Sequence, residues 1–360
     1  MHREIPVKIK TVKSWPIVIG QGIINQTGDF INLDDYSSLV LVTDQTTERL
    51  YGEKVDAILG KNGRKTIRFP LANGESAKSP EEMARGYRFL LDNGIDRSTL
   101  IGVLGGGVAG DAGGYLAATY LRGIDYLQIP TTLLAQVDSS IGGKVGINFG
   151  GKKNMVGSFY QPKAIICDVD FLETLPAEEI KNGLAEIIKY GLAMDSDLFC
   201  QLEEKETTDF TPAELTDIIE RCASLKTKVV MTDETERTGE RAILNFGHTI
   251  GHALEAASGL TGRHGVAISV GMVAAAKISV RLGMLNGDCL ARIERILTSF
   301  GLPTRTREVS ASQLLTAIKF DKKISRGELN WVLLAGTGAG VVNCKVSEEV
   351  VTQVLAEVCQ

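Results

Sequence analysis

The spacing of apolar residues changes once along this chain, near residue 175. Before that point, short apolar runs rich in β-branched residues alternate with amphipathic helical stretches, which is the pattern of a parallel sheet built from βαβ units. It predicts strands at 38–43, 65–69, 100–104 and 126–129 and a helix at 79–93. After it come long segments with a 3.6-residue period and few strand-like runs. We therefore expect an α/β domain over residues 1–174 and a mainly α-helical domain over residues 175–360.

Length and composition fit a globular protein of two domains. The chain has 360 residues, of which 44% are hydrophobic, and single cores rarely grow beyond about 250–300 residues. The net charge of −5 comes with dispersed lysines and arginines, so we expect no nucleic-acid or membrane partner. No apolar run reaches the roughly 18 residues of a membrane span, the first residues lack an export signal, and the 6 cysteines form no CxxC pair. We therefore expect a cytoplasmic protein with reduced thiols.

A glycine-rich turn separates the predicted strand 100–104 from a helix. Gly105, Gly107 and Gly110 fit the pattern G-x-G-x-x-G in the strand–turn–helix context that this motif requires. Such glycines let backbone N–H groups approach a pyrophosphate at a helix N-terminus, although a close-packed turn without a ligand shows the same pattern. The usual ribose-binding acid follows about 20 residues later, but here that strand ends in Pro130, and Asp44 after an earlier strand is the better candidate. The pattern predicts a Rossmann-like nucleotide-binding domain that differs from the common dehydrogenase one.

Three of the 4 histidines lie close together in the helical half, at positions His248, His252 and His264. His248 and His252 are one helical turn apart, so both imidazoles can lie on one face of a helix. Such a pair with a third ligand is a common divalent-metal site, and satisfied core histidines are the alternative. Thr249 stands where the metalloprotease helix HExxH needs a glutamate, which excludes that class. Glu186, on another predicted helix, is either an anionic third ligand or a residue at the rim of an apolar face.

The segment 131–154 is polar and glycine-rich, and we expect a functional loop there because its pattern is too irregular for a simple helix. Its residues either bind phosphate, orient a polyol and act as acid and base, or form a solvated surface loop. The candidates in this segment are Asp138, Lys144, Lys153 and Asn154. In the helix that follows, Glu186 and Lys189 are three residues apart and share a face.

The sequence resembles the 3-dehydroquinate synthase family over most of its length. The motifs that carry the resemblance are GGGVAGDAGGYLAATYLRG, IPTTLLAQVDSSIGGKVGIN, GKKNMVGSFYQP, AEIIKYG, LNFGHTIGHALE, RHGVAISVGM and a late DKK. The resemblance implies an N-terminal NAD-binding α/β domain, a C-terminal helical domain and an active site in the cleft between them. It also implies a divalent ion, zinc or cobalt, and a homodimer.

The resemblance assigns roles residue by residue. It implies that the metal ligands are Glu186, His248 and His264, with His252 facing the substrate. It implies NAD contacts from Asp44, Glu75, Lys78, Gly106, Gly107, Val108, Asp111, Thr131, Thr132, Phe171 and Thr174, with Lys144 and Lys153 where cofactor and substrate meet. It implies substrate contacts from Asp138, Asn154, Lys189, Lys226, Arg241, Asn245, His252 and Lys322, with Arg122 reaching a phosphate across a dimer interface. Between Lys226 and Arg241 the chain is one residue longer than the family pattern, which leaves Lys228 as an alternative to Lys226.

The implied reaction converts 3-deoxy-D-arabino-heptulosonate 7-phosphate to 3-dehydroquinate and phosphate, a lyase reaction of the shikimate pathway for aromatic amino-acid biosynthesis. NAD would oxidise a secondary alcohol, phosphate would leave, the ketone would be reduced again, and the ring would open and close by an intramolecular aldol reaction. Three alternatives stay open. They are another sugar phosphate cyclase on the same scaffold, a metal-dependent NAD polyol dehydrogenase, and a binding protein without chemistry.

Overall fold

The structure is a computed structural model that describes residues 14–205, 208–259, 263–324 and 330–360. Its strands are β1 (Ile17–Gly20), β2 (Ser38–Thr43), β3 (Lys65–Pro70), β4 (Thr99–Gly105), β5 (Tyr126–Pro130), β6 (Lys144–Phe149), β7 (Lys152–Phe159), β8 (Ala164–Asp168), β9 (Trp331–Gly336) and β10 (Ala339–Cys344). Its helices are α1 (Thr27–Phe30), α2 (Gln45–Thr47), α3 (Glu53–Leu59), α4 (Pro80–Asp92), α5 (Gly107–Thr119), α6 (Ala177–Met194), α7 (Ser196–Lys205), α8 (Pro212–Thr232), α9 (His248–Ser258), α10 (His264–Arg281), α11 (Gly287–Ser299), α12 (Ala311–Ile324) and α13 (Glu348–Val358).

A parallel sheet with helices on both faces forms the first half of the chain. Its six strands lie in the order β1-β8-β5-β4-β2-β3. Val40 and Val42 of β2 pack on the side of α4 and α5, whereas Leu39 and Leu41 pack on the side of α3. Because both faces are covered, the strands are continuous apolar runs, which is why the sequence predicts them well. The predicted strands and the predicted helix are confirmed, with ends that differ by at most one residue.

The carboxyl ends of the central strands bring three segments together. Thr43 of β2 is in register with Leu104 of β4, and Gly105 is in register with Pro130 of β5. The residues that follow these strands therefore lie at one edge of the sheet, where open parallel sheets bind their ligands.

The segment 131–154 differs from the irregular loop that its pattern predicted. Residues Ala135–Ser139 form a short π-helical turn, and β6 pairs with β7 as an antiparallel hairpin. The strands approach closely at glycine, since a Cβ on Gly146 would lie 2.8 Å from the carbonyl oxygen of Val156. Glycines at such positions interrupt the apolar alternation by which the hairpin could have been recognised.

The second half of the chain is mainly helical and has its core around α6 and α10. Residues 182–193 of α6 are buried without interruption, so Glu186 and Lys189 lie inside the helical core and not at its rim. A hairpin of β9 and β10, which the sequence did not predict, packs against α10 and α6. The α/β class with a helical second half is confirmed, while the division at residue 174 stays a prediction. Among the described residues, no helix has the length and apolar composition needed to cross a membrane.

Candidate active site

Three side chains from three helices meet in the interior of the helical half. Glu186 lies in the middle of α6, and His248 and His264 are the first residues of α9 and α10. Oε1 of Glu186 lies 3.4 Å from Nε2 of His248 and 3.1 Å from Nε2 of His264. One ligand atom from each residue lies within 4.8 Å of the others. One carboxylate and two imidazoles that converge in this way fit a divalent ion with an open coordination position.

His252 lies beside this cluster but does not belong to it. Its ring centre is 5.1 Å from that of His248 and 6.5 Å from that of His264, and its side chain is exposed. Among the described residues, the group able to hold a metal ion consists of Glu186, His248 and His264. The geometry therefore agrees with the resemblance and disagrees with the interpretation, drawn from helical spacing, that His248 and His252 share a metal.

The Glu186 carboxylate stays anionic although it is buried. Burial would raise its pKa, but the ammonium group of Lys189 and the imidazole of His248 hold that pKa well below its ordinary value. Burial would lower the pKa of His264, but hydrogen bonds to Glu186 and Glu255 raise it to about 9. Lys189 is in ion-pair contact with Oε2 of Glu186, yet no donor among the described residues meets this oxygen with hydrogen-bond geometry. A buried, anionic carboxylate whose Oε1 faces the Nε2 atoms of two imidazoles is suited to a divalent cation.

Asp138 connects the metal cluster to two lysines. Its carboxylate lies 3.0 Å from Nζ of Lys226 and 3.9 Å from Nζ of Lys189, and it accepts a hydrogen bond from the hydroxyl of Tyr190. Burial opposes ionisation of Asp138, but the two ammonium groups outweigh burial and lower its pKa. The lysines differ, because burial lowers the pKa of Lys226, whereas Glu186 and Asp138 outweigh burial and raise that of Lys189. Lys226 is therefore the better proton donor of the two.

The alternative to Lys226 lies elsewhere on α8. Lys226 is 5% exposed and ends at Asp138, whereas Lys228 is exposed. The geometry thus favours Lys226 as the lysine of the site.

A second group of cations lies around Glu236. Lys144 is in ion-pair contact with its carboxylate, and Nε of Arg241 lies 3.4 Å from the same oxygen. Arg241 is buried and donates a hydrogen bond of 2.8 Å to the carbonyl oxygen of Glu234. Two cations that share one carboxylate in the free protein provide a place where an anionic substrate group can bind.

Asp233 fixes the loop that carries Arg241. Its carboxylate accepts backbone N–H bonds of 2.7–3.3 Å from Arg237, Thr238, Gly239 and Arg241. Burial opposes its ionisation, but these bonds outweigh burial and lower the pKa of Asp233 to about 2. These bonds hold the backbone of Arg241 in place.

The glycine turn is packed so closely that its glycines could not carry a side chain without displacing their neighbours. A Cβ on Gly105 would lie 2.6 Å from the Cβ of Ala109 and 3.0 Å from Oδ2 of Asp44, and a Cβ on Gly107 would lie 2.9 Å from Oγ of Ser139. This Oγ is buried and has no hydrogen-bond partner among the described residues. A cradle of glycines, a nearby carboxylate and an unpartnered hydroxyl fit a dinucleotide at the N-terminus of α5.

Several predicted cofactor contacts surround this turn. The backbone N–H of Thr131 donates to the carbonyl oxygen of Gly105 at 3.0 Å. Thr132 packs against Gly106, whose Cβ would lie 2.9 Å from Cγ2 of the threonine. Val108 is half-buried in the first turn of α5.

Lys78 connects the turn region to the hairpin of β6 and β7. It lies 2.6 Å from Asp111 and donates a hydrogen bond to Asn154. Glu75 lies 3.7 Å from Nζ of Lys153. Burial raises the pKa of Asp111 more than the Lys78 ammonium group lowers it.

Four predicted residues lie outside these clusters, and the side chain of a fifth is not described. Phe171 packs edge-on against Tyr51 with ring centres 4.8 Å apart, and Tyr51 also hydrogen-bonds Thr174. Arg122 and Asn245 are exposed at the ends of the short turns Tyr120–Arg122 and Glu240–Asn245. The side chain of Lys322, on α12, lies outside the described part of the structure.

The described residues that contact the site without having been predicted from the sequence include Ser139, Tyr190, Glu236 and Glu255. A signal existed for Glu255 alone, since it follows His248 by seven residues and His252 by three and so shares their helix face. The other three depend on contacts between distant segments, which no local spacing reveals.

Comparison with known proteins identifies relatives along most of the chain. Residues 68–182 match a family described as 3-dehydroquinate synthase N-terminal, and residues 183–324 match one described as 3-dehydroquinate synthase C-terminal. The chain is 43% identical to the 3-dehydroquinate synthase of Caldanaerobacter subterraneus subsp. tengcongensis over 356 residues, which are 98% of this chain and 99% of the relative.

Two solved structures of cyclases are similar to this one. The 2-epi-5-epi-valiolone synthase of Streptomyces hygroscopicus subsp. jinggangensis, with NAD+ and Zn2+ bound, has a TM-score of 0.89 at 26% identity and covers 98% of this chain and 99% of its own. A 2-deoxy-scyllo-inosose synthase with carbaglucose-6-phosphate, NAD+ and Co2+ has a TM-score of 0.87 at 25% identity and covers 95% and 96%.

Proposed function

The chain belongs to the 3-dehydroquinate synthase family, and on this premise we propose that it converts 3-deoxy-D-arabino-heptulosonate 7-phosphate to 3-dehydroquinate and phosphate. The observation that carries the proposal is the cluster of buried Glu186 with half-buried His248 and His264, placed beside the lysines that flank Asp138. The same site has a cation group able to bind a substrate with several negative charges, although the whole chain has a net charge of −5. In this function the chain is a lyase that eliminates phosphate.

The residues present fit NAD and one divalent ion, zinc or cobalt. Glu186, His248 and His264 would hold the ion, and the glycine turn with Asp44 and Ser139 would hold the dinucleotide. When bound, NAD would take up and return a hydride, and the ion would acidify a substrate hydroxyl, as zinc lowers the pKa of water from about 15.7 to about 7.

The residues between these two sites would bind the substrate and move its protons. Lys189 and Asp138 are held in place by their mutual contacts and by Glu186, so they are suited to orienting hydroxyl groups. Lys226, whose pKa burial lowers, would exchange a proton more readily. An anionic substrate group would replace Glu236 as the partner of Lys144 and Arg241.

The comparisons favour this reaction over that of another sugar phosphate cyclase. The relative named 3-dehydroquinate synthase is 43% identical, whereas the two cyclases that form other products are 25% and 26% identical. A polyol dehydrogenase on the same scaffold would differ in its products, because it would release reduced cofactor and no phosphate.

The proposed function is tested by incubating the purified chain with the heptulosonate phosphate, zinc and a small amount of NAD. We expect inorganic phosphate and the cyclic product in equal amounts, far above the amount of NAD, with no accumulation of NADH absorbance. NADH accumulation without phosphate would identify a dehydrogenase. Failure with this substrate, together with turnover of another sugar phosphate, would identify a different cyclase.

We also propose a homodimer in which Arg122 of the partner subunit completes the substrate site. The support is a set of exposed large apolar side chains, namely Leu121 next to Arg122 in the chain and Phe149, Met155 and Phe159 of the β6–β7 hairpin. Light scattering should report twice the chain mass of 38.8 kDa. Replacement of Arg122 by alanine should raise KM and leave metal affinity unchanged; a monomer with full activity would contradict the proposal.

A further inference from the structure

The imidazole of His264 lies between two carboxylates. Its Nε2 is 3.1 Å from Oε1 of Glu186, which is the ring nitrogen that faces the metal cluster. Its Nδ1, on the opposite side of the ring, is 3.4 Å from Oε1 of Glu255. The Glu255 side chain is 16% exposed, so solvent competes little for this contact.

Helix α9 delivers Glu255 to this position. His248, His252 and Glu255 follow one another at intervals of four and three residues and therefore share one helix face. His264 begins the next helix, α10, which packs along α9. A single helix thus provides one metal ligand and, two turns later, a carboxylate for another ligand.

We propose that Glu255 is a positioning residue for the divalent ion. The proposal rests on the metal site of the proposed function. Glu255 accepts the Nδ1 proton of His264, which fixes the neutral tautomer whose Nε2 lone pair points at the ion and holds the ring in the orientation needed for coordination. Outer carboxylates of this kind orient ligating histidines and increase their basicity.

The other histidine ligand has a corresponding partner of a different kind. Nδ1 of His248 lies 3.1 Å from the backbone carbonyl oxygen of Phe246. Both ligating rings therefore have an acceptor at Nδ1, which is what coordination through Nε2 requires. The acceptor for His248 is a backbone carbonyl, which no substitution removes. The acceptor for His264 is the negatively charged side chain of Glu255, so its contribution to metal binding can be removed by substitution.

Among the described residues, Lys153 and His252 also interact electrostatically with Glu255. A rival role for Glu255 is to hold Lys153 at the cofactor side of the site. The two roles make different predictions for Lys153→Met. If Glu255 acts through Lys153, this variant should lose as much Zn2+ affinity as the Glu255 variants. If Glu255 acts through His264, the Zn2+ affinity of Lys153→Met should be that of the wild type.

The test measures metal binding in the absence of substrate. The dissociation constant for Zn2+ is determined by competition with a chromophoric chelator, and the visible spectrum of the Co2+-loaded protein is recorded. The variants are Glu255→Gln, Glu255→Ala and Lys153→Met. Glu294→Gln serves as control, since Glu294 is a helical glutamate that pairs with Lys277 at 3.3 Å, away from the site.

We expect both Glu255 variants to weaken Zn2+ binding by about 10- to 100-fold and to change the Co2+ spectrum, while Lys153→Met and Glu294→Gln match the wild type. Melting temperatures of the metal-free variants should equal that of the wild type. Wild-type Zn2+ affinity in Glu255→Ala, an equal loss in Lys153→Met, or a loss explained by a lower metal-free melting temperature would overturn the proposal. Phosphate release by the wild type is assayed separately, so that failure of the proposed function is recognised independently.

Discussion

The metal end and the cofactor end of the candidate site are built by opposite means. At the metal end, one carboxylate and two imidazoles from three helices converge, with the buried Glu186 at their centre. At the cofactor end, the decisive feature is the absence of side chains, since a Cβ at Gly105 or Gly107 would meet its neighbours within 3.0 Å. This difference implies two kinds of damaging substitution. Replacement of a metal-binding side chain should impair metal binding and leave NAD binding unchanged. A side chain added at a glycine of the turn should impair NAD binding and leave metal binding unchanged.

The largest effect should come from His248→Ala. It removes a metal ligand but leaves the buried pair of Glu186 and Lys189 intact. Metal-assisted stabilisation is worth several kcal/mol, so we expect turnover to fall on the order of 10³-fold, with NAD affinity unchanged. Steady-state phosphate release and a fluorescence titration with NAD would measure the two quantities.

Thr249→Ala, the next position on the same helix, is the matched control and should behave as the wild type. If His248→Ala weakened NAD binding as much as metal binding, the two ends would not be independent and the comparison would fail.

Gly105→Ala should have the opposite effect, a loss of NAD affinity with metal binding unchanged. The new methyl group would lie 2.6 Å from the Cβ of Ala109, which has no rotamer by which to move away, so the start of α5 must shift. Overpacking of this kind costs about 1–3 kcal/mol of folding stability, and a distortion of the same size in the NAD-binding turn would weaken NAD affinity by about 5- to 150-fold. Zn2+ affinity should not change.

Gly28→Ala is the control, because a Cβ there would meet no atom within 4 Å. An unaltered NAD affinity in Gly105→Ala would show that the turn does not hold the cofactor.

A substitution between the two ends should affect substrate alone. Lys226→Met removes a buried ammonium group that lies 3.0 Å from Asp138, and hydrogen bonds to charged groups contribute about 1.5–3 kcal/mol. We expect kcat/KM to fall about 10- to 100-fold, with NAD and Zn2+ affinities retained. Lys228→Met, on the exposed side of α8, should match the wild type; an unchanged kcat/KM in Lys226→Met, or an equal loss in Lys228→Met, would contradict a specific role of Lys226.

The smallest effect concerns the loop of Arg241. The pKa of Asp233 is lowered to about 2 in the folded protein from about 3.9 in an unfolded chain. Its contribution to the free energy of unfolding is therefore present above about pH 4 and is lost as the pH falls towards 2. Asp233→Asn should flatten this part of the pH dependence, measured by urea unfolding, and identical profiles would contradict the role of Asp233.

The sequence predicted the strands and the glycine turn at the cofactor end better than the helix packing at the metal end, for physical reasons, while the cofactor contacts themselves stay predictions. Strands buried on both faces are continuous apolar runs, and a glycine motif is local, so the turn after β4 could be recognised without a structure. The metal end depends on α6, α9 and α10 packing together, and helical spacing pointed to His252 as a ligand. It was the resemblance that implied Glu186, His248 and His264 as one set.

The other residues and elements that the sequence did not predict have a common cause. Tyr190 and Glu236 reach the site through contacts with Asp138 and Lys144, which are distant in the chain. The hairpin of β6 and β7 was hidden by glycines, and that of β9 and β10 by its position among helices. Tertiary contacts of this kind leave no periodic pattern in the sequence.

The central claim is that one carboxylate and two imidazoles hold a divalent ion beside the cofactor turn. Its most direct test is anomalous diffraction at the zinc edge from crystals of the zinc-loaded protein. We predict a single strong peak about 2.0–2.2 Å from an oxygen of Glu186 and from Nε2 of His248 and His264. A peak at other residues, or one coordinated by His252 in place of Glu186, would contradict the account.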